Sequence, residues 1–290
     1  MLQSKMLAEA RQTNRGHKFW LEIPKSAAVV LSISFVAQIL SAVLVVLLGF
    51  HDNESITNLL FLWGQLFGIG LIILYCCVIE KRPISSLGFR KGHIFGHYLG
   101  GLAIGCGLFL SVIVIGKLLG SFKFVGVGKQ INPLQLCLFL VGFLIQGMCE
   151  ELLFRGYILV SLARKNHIWL AIIFNAVFFA LMHIGNSGFN VLAFVNMMLL
   201  SVYLSLYTLK TDDIWGAGAI HGIWNFVQGC VFGLNVSGVT LTNPIFIIEP
   251  TEKVLENGGK FGPEGGFLVT IVLSVELLSF ILTKIIKKRK

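Results

Sequence analysis

Eight apolar stretches, each near or above the length a helix needs to cross a hydrocarbon core, leave this chain few ways to fold. A crossing helix needs about 20 such residues, because each adds only about 1.5 Å of rise. The stretches are Ser26–Phe50, Asn58–Glu80, His93–Leu119, Pro133–Leu162, Ile168–Ile184, Phe189–Leu209, Ile214–Leu234 and Gly265–Ile286. Composition agrees, since 13% of the residues are charged where a soluble domain carries roughly 25%. The expected fold class is all-α, a polytopic membrane helix bundle of about eight transmembrane helices.

Charge placement sets the expected orientation. Lys5, Arg11, Arg15, Lys18 and Lys25 precede the first stretch, Lys81, Arg82, Arg90 and Lys91 follow the second, and Arg164 and Lys165 follow the fourth. Lys210 follows the sixth, and the chain ends "TKIIKKRK". The opposite side holds only Lys117, Lys123, Lys129, Lys253 and Lys260. Basic loops stay inside, so both termini are expected in the cytoplasm. The net charge of +9 thus reads as orientation, and no nucleic acid is expected as a partner. The lipid bilayer is.

The chain divides into a basic cytoplasmic N-terminal segment (1–25), three transmembrane helices with their loops (26–132), and a core of four further helices (133–235). An extracytoplasmic loop (236–264) and a last helix with a basic tail (265–290) complete it. The N-terminal segment is polar and lacks the short apolar core of a cleaved signal peptide. All six cysteines lie in apolar runs without a Cys-x-x-Cys pair, so they read as small buried hydrophobes.

Polar residues inside the apolar stretches carry the functional reading. "GMCEELLFRGYILV" places Glu150, Glu151 and Arg155 in the fourth stretch, where each ion costs several kcal/mol unless it is compensated. Glu151 precedes Arg155 by four residues, the favourable order for a helical ion pair. Glu150 points about 100° away, and its own i+4 neighbour is Phe154, so it must find a partner on another helix or in trapped water. "FFALMHIG" puts Phe179 and His183 four apart, and "GAGAIHGIWNF" does the same for His221 and Asn225. Gly216, Gly218 and Gly222 there suit close helix approach.

A carboxylate, two imidazoles and a carboxamide have the parts for water-dependent acyl chemistry. Glu150, helped by His183, could deprotonate water, and His221 and Asn225 could stabilise a tetrahedral oxyanion. Other intramembrane protease patterns do not fit. There is no His-Glu-x-x-His, "GNSGF" is not a Gly-x-Ser-x-Gly, and Asp212 and Asp213 sit side by side in one loop, where they read as a solvated pair.

The set Glu-Glu-x-x-x-Arg, Phe-x-x-x-His and His-x-x-x-Asn, in that order on three apolar segments, resembles the CAAX protease and bacteriocin-processing family of intramembrane peptidases. The resemblance covers roughly Pro133 to Leu234. It implies an eight-helix bundle with a cavity open to the cytosol, water activated by Glu150 and His183, and an oxyanion held by His221 and Asn225. Glu151, Arg155 and Phe179 would be supporting residues. It also implies a peptide or lipidated protein substrate and, by likeness to compact bacterial members, a multi-pass protein of a bacterial plasma membrane. A metal-free glutamic mechanism is favoured, with zinc at Glu150, His183 and His221 as the alternative. Two other classes stay open: a non-catalytic membrane partner, such as a bacteriocin self-immunity protein, and a proton-coupled transporter.

Overall fold

A computed structural model describes residues 4–13 and 15–289, with side chains up to residue 283. The basic tail read from the sequence lies beyond those side chains. The fold is all-α, with one small antiparallel ribbon. Each of the eight apolar stretches contains a helix. They are α2 (Phe19–Leu47), α3 (Glu54–Leu74, continued as a π-helix Tyr75–Ile79), α4 (Ile94–Leu118) and α5 (Pro133–Glu151). Then come α6 (Ile168–Leu181), α7 (Val191–Thr211), α8 (Trp215–Phe226, continued as a π-helix Val227–Val231) and α9 (Phe267–Arg289). A short helix, α1 (Lys5–Gln12), precedes them. Helix α5 runs on through a π segment, Leu152–Leu159, and a final turn, Val160–Ala163.

Among the described residues, five helices are long and apolar enough to cross a membrane: α2, α3 with its π turn, α4, α5 with its extensions, and α7. Helix α6 is shorter than expected. It ends at Leu181, not Ile184, and its 14 residues rise only about 21 Å. Caps explain several boundaries. Asn53 accepts from the Ile56 amide at 3.1 Å to start α3, and Asn132 accepts from Gln135 at 3.2 Å to start α5, with Pro133 in the first turn. Helix α2 begins seven residues before the expected Ser26 and runs through Pro24. Pro24 is the sixth residue of the helix and has no N–H to give the Trp20 carbonyl, a loss the helix tolerates; the expected start was late because the residues up to Lys25 are polar and basic.

The chain forms two compact units, each described by itself. The first comprises Met1–Cys106, Asn132–Asn175 and Leu204–Phe226, and the second Gly107–Ile131, Ala176–Tyr203 and Val227–Lys290.

In the first unit, the N-terminal segment is more than a basic tail. Helix α1 buries Met6, Leu7 and Ala10. Asp212 accepts from the Ser4 hydroxyl at 2.6 Å and from the Met6 amide at 3.1 Å, and Glu9 pairs with Arg90 at 2.8 Å. The two aspartates of that loop are therefore not a solvated pair. Asp213 is 5% exposed and hydrogen-bonds His97. A one-residue difference in position hides this, because the sequence shows only that the loop is short and polar.

In the second unit, the expected extracytoplasmic loop is folded. β1 (Phe122–Val127) pairs antiparallel with β2 (Phe246–Pro250), with a register slip between Phe124 and Gly126. Gly258, Gly259 and Gly262 take positive φ, which fits the tight turns that follow a one-turn helix, Val254–Asn257. Glu264, 3% exposed, accepts from the Ser237 amide at 2.8 Å and its hydroxyl at 2.6 Å. Asn196 of α7 donates to the Glu264 and Gly266 carbonyls at 2.8 and 2.9 Å.

Candidate active site

Helices α5 and α8 meet backbone to backbone. A Cβ on Gly147 would lie 2.5 Å from the Gly222 nitrogen and 2.9 Å from the Gly218 carbonyl oxygen, and a Cβ on Gly222 would lie 2.7 Å from the Phe143 carbonyl oxygen. Small residues at the contact give the close packing on which helix association in lipid depends. Polar side chains one turn further along each helix are thereby brought within hydrogen-bond reach. The glycines read as packing residues have this consequence for chemistry.

Glu151 is fully buried, and its Oε1 accepts from Arg155 Nη1 at 2.8 Å, the i,i+4 pair that the spacing predicts. The same oxygen lies 2.8 Å from His221 Nδ1. An ionised carboxylate only accepts, so Nδ1 carries the proton and Nε2 faces the other way. His221 Nε2 is 3.8 Å from Glu150 Oε2. Glu151 therefore does more than meet Arg155: it fixes the imidazole of α8.

Glu150 differs from Glu151 in being 24% exposed at its side chain. The expectation that it has no partner on its own helix does not hold. Gln146, four residues earlier, donates Nε2–H to Glu150 Oε1. The i−4 neighbour was legible by the rule that paired Glu151 with Arg155, applied in the other direction. Gln146 also accepts, through Oε1, from Asn225 Nδ2 at 3.0 Å. Asn225 and His221 are each 5% exposed. Cys149, beside Glu150, is fully buried.

The first unit thus gathers Glu150, Glu151, Arg155, His221 and Asn225, and adds Gln146. His183 and Phe179 belong to the second unit. His183 sits on the turn beyond α6, which ends at Leu181, and it still faces Phe179 as the spacing suggests. Its Nδ1 is 2.9 Å from the Phe179 carbonyl oxygen, and the two rings stack at a tilt with centroids 4.9 Å apart. A carbonyl accepts only, so Nδ1 is the protonated nitrogen and Nε2 of the neutral ring offers a lone pair. Phe179, 1% exposed, supports the ring.

Zinc was the alternative for Glu150, His183 and His221. Among the described residues, no three His, Cys, Asp or Glu side chains group as a metal site would require. With Nδ1 of His221 held by Glu151, Nε2 is the nitrogen that a metal would have to use.

Residues 132–227 match the family model described as type II CAAX prenyl endopeptidase Rce1-like. The match starts at the Asn132 cap of α5, ends one residue past α8, and contains every residue named above as a site candidate. The matched segment is roughly a third of the chain, and its similarity is to the CAAX protease and bacteriocin-processing family. No individual curated protein matches it.

Proposed function

We propose that this protein is an intramembrane endopeptidase of the CAAX prenyl protease type, acting on membrane-associated or prenylated peptides. The observation that carries the reading is the cluster on α5 and α8. Two acids, an imidazole and a carboxamide converge there inside an apolar chain, within the segment that matches the family.

Glu150 is the general base. It takes a proton from water, the hydroxide adds to the scissile carbonyl, and the C–N bond then breaks as the proton passes from Glu150 to the leaving amine. Asn225 offers an amide N–H to the oxyanion. A protonated His221 would balance the two carboxylates against Arg155 and turn Nε2 into a second donor. Glu151 and Arg155 hold that imidazole. In this reading His183 assists with the attacking water, a role its Nε2 lone pair suits. An apolar cavity of about 480 Å³ in the first unit, lined by Ile69, Phe95, Leu99, Leu144, Ile145 and Met148, gives a lipid chain a place to lie beside α5. Eight crossings with both termini cytoplasmic, in a bacterial plasma membrane, complete the proposal.

The test is cleavage of a quenched-fluorescent prenylated CAAX peptide by the purified protein in lipid vesicles. Wild type, Glu150→Ala and a chelator-treated sample run side by side. Cleavage lost only in Glu150→Ala supports the glutamic mechanism, and loss with chelator as well brings zinc back to the site. A folded wild type that cuts neither this peptide nor a peptide library would favour a non-catalytic partner role.

A further inference from the structure

Gln146 is outside the three motifs, yet it touches both the acid on α5 and the amide on α8. It donates Nε2–H to Glu150 Oε1 and accepts from Asn225 Nδ2 at 3.0 Å. We propose that Gln146 is a positioning residue that ties the orientation of the Asn225 amide to the Glu150 carboxylate. The inference rests on the peptidase reading above.

The argument is one of donors and acceptors. An ionised carboxylate has no hydrogen to give, so the Gln146 group facing Glu150 must be its NH₂. That leaves the Gln146 carbonyl facing Asn225, and a carbonyl only accepts. Asn225 must then turn its own NH₂ toward Gln146. An amide nitrogen carries two hydrogens, so the second N–H of Asn225 stays available to a developing oxyanion. The polarity of the whole chain, from Glu150 through Gln146 to Asn225, follows from a single negative charge at one end. When Glu150 holds a proton it can donate instead, and the constraint on both amides relaxes. Oxyanion donor and base are thus set together before substrate arrives.

Among the described residues of the first unit, the groups that face Glu150 come from α5 and α8, Cys149 and Arg155 of its own helix included. Gln146 lies on its own helix, and His221 from α8 is 3.8 Å away; Glu151 and Arg155 act on it through that imidazole and the shared helix.

Two variants of near-native volume test this. Gln146→Met keeps the bulk and removes both hydrogen bonds. It should lower kcat by roughly 10- to 100-fold, the value of a hydrogen bond to a charged group, with KM within about 2-fold. It should also move the acid limb of the rate profile to higher pH, because Glu150 loses a donor that favours its charged form. Gln146→Glu should do the opposite. Two carboxyls sharing one proton can still donate and accept, so activity survives at lower pH and falls on the alkaline side, where both ionise. A side chain that merely filled space would move neither limb.

Infrared titration of the Glu150 carboxyl band, assigned by difference with Glu150→Gln, reads the same coupling without substrate. If wild type cuts no peptide but the band titrates differently in Gln146→Met, the peptidase reading fails and the coupling stands. If wild type cuts peptides and both the profiles and the band are unchanged in the Gln146 variants, the proposal is overturned.

Discussion

At the ends of α2, α3 and α5, Glu22 and Glu80 share Lys25 and Arg164, so each buried acid meets two cations. Arg164 lies 3.2 Å from Glu22 and 2.9 Å from Glu80, Lys25 lies 3.3 Å from Glu22, and Lys25 also bonds Glu80. Arg82 is 2% exposed and donates to the Ser86 and Ser161 hydroxyls and to the Ser86 and Gly156 carbonyls. Where α5 enters its π segment, compensation is arranged otherwise. Glu151 has Arg155 and His221, but Glu150 has a neutral amide and an imidazole at 3.8 Å, and it stays part-exposed. A buried ion pair holds a chain together only when the partners are complete. An acid that is incompletely neutralised and part-exposed is the better candidate for exchanging a proton.

Substitutions should separate the two clusters. The largest effect is expected for Glu150→Gln, which removes the base. Peptide cleavage should fall by about 10³-fold, while the thermal midpoint measured by circular dichroism stays near that of wild type. A midpoint that collapses with the activity would place Glu150 with the structural acids. Arg164→Met should do the reverse. Among the described residues it leaves Lys25 as the one cation bonded to both Glu22 and Glu80, and breaking such a set costs about 3–5 kcal/mol, read as a lower denaturation midpoint in detergent.

Gly222→Ala falls between the two. Its Cβ would stand 2.7 Å from backbone at Phe143, so α5 and α8 must separate. Overpacking of this kind costs about 1–3 kcal/mol, and cleavage should drop further than stability does because Glu150 and His221 lie across the contact. Equal losses in the two assays would break the link between helix contact and site geometry.

The smallest effect concerns acid stability. Burial alone would push the Glu80 carboxyl up, but the hydrogen bond from Lys25 and the charges of Arg164, Lys25 and Arg82 outweigh it and hold it below its ordinary value of 4.5. Glu80 is the first residue past the helix that ends at Ile79. A carboxyl held low in the folded state gives stability that is complete above its unfolded value and is lost as pH falls through its folded one. Glu80→Gln should therefore flatten the acid side of the midpoint-against-pH curve below about pH 4.5 and leave the neutral side parallel to wild type.

The helices were legible because apolar length is a one-dimensional signal, and so was the pairing of Glu151 with Arg155, since four residues along one helix fix a distance. What the residue string hides is pairing across elements. Nothing in "NPIFIIEPTEKVLENGGKFGPEGG" announces that Phe246–Pro250 pairs with Phe122–Val127. Neither Glu22 nor Glu80 advertises that a single arginine from the end of α5 will sit between them. Gln146 was missed for a different reason. An uncharged side chain in an apolar run looks like a tolerated polar residue until both of its neighbours are known.

The π segment Leu152–Leu159 lies between the two clusters on one continuous helix. Each residue of an α-helix advances the direction of the side chains by about 100°, and a π bulge behaves as one residue inserted into that count. Glu150 and Glu151 lie before the insertion, and Arg164 comes after it. The segment works as an indexing step on a shaft: it lets one helix aim acids at α8 from the turn before it and a guanidinium at α2 and α3 from the turn after it. Deleting Leu153 there would remove no named side chain of either cluster, yet it would rotate one relative to the other by about a quarter of a revolution.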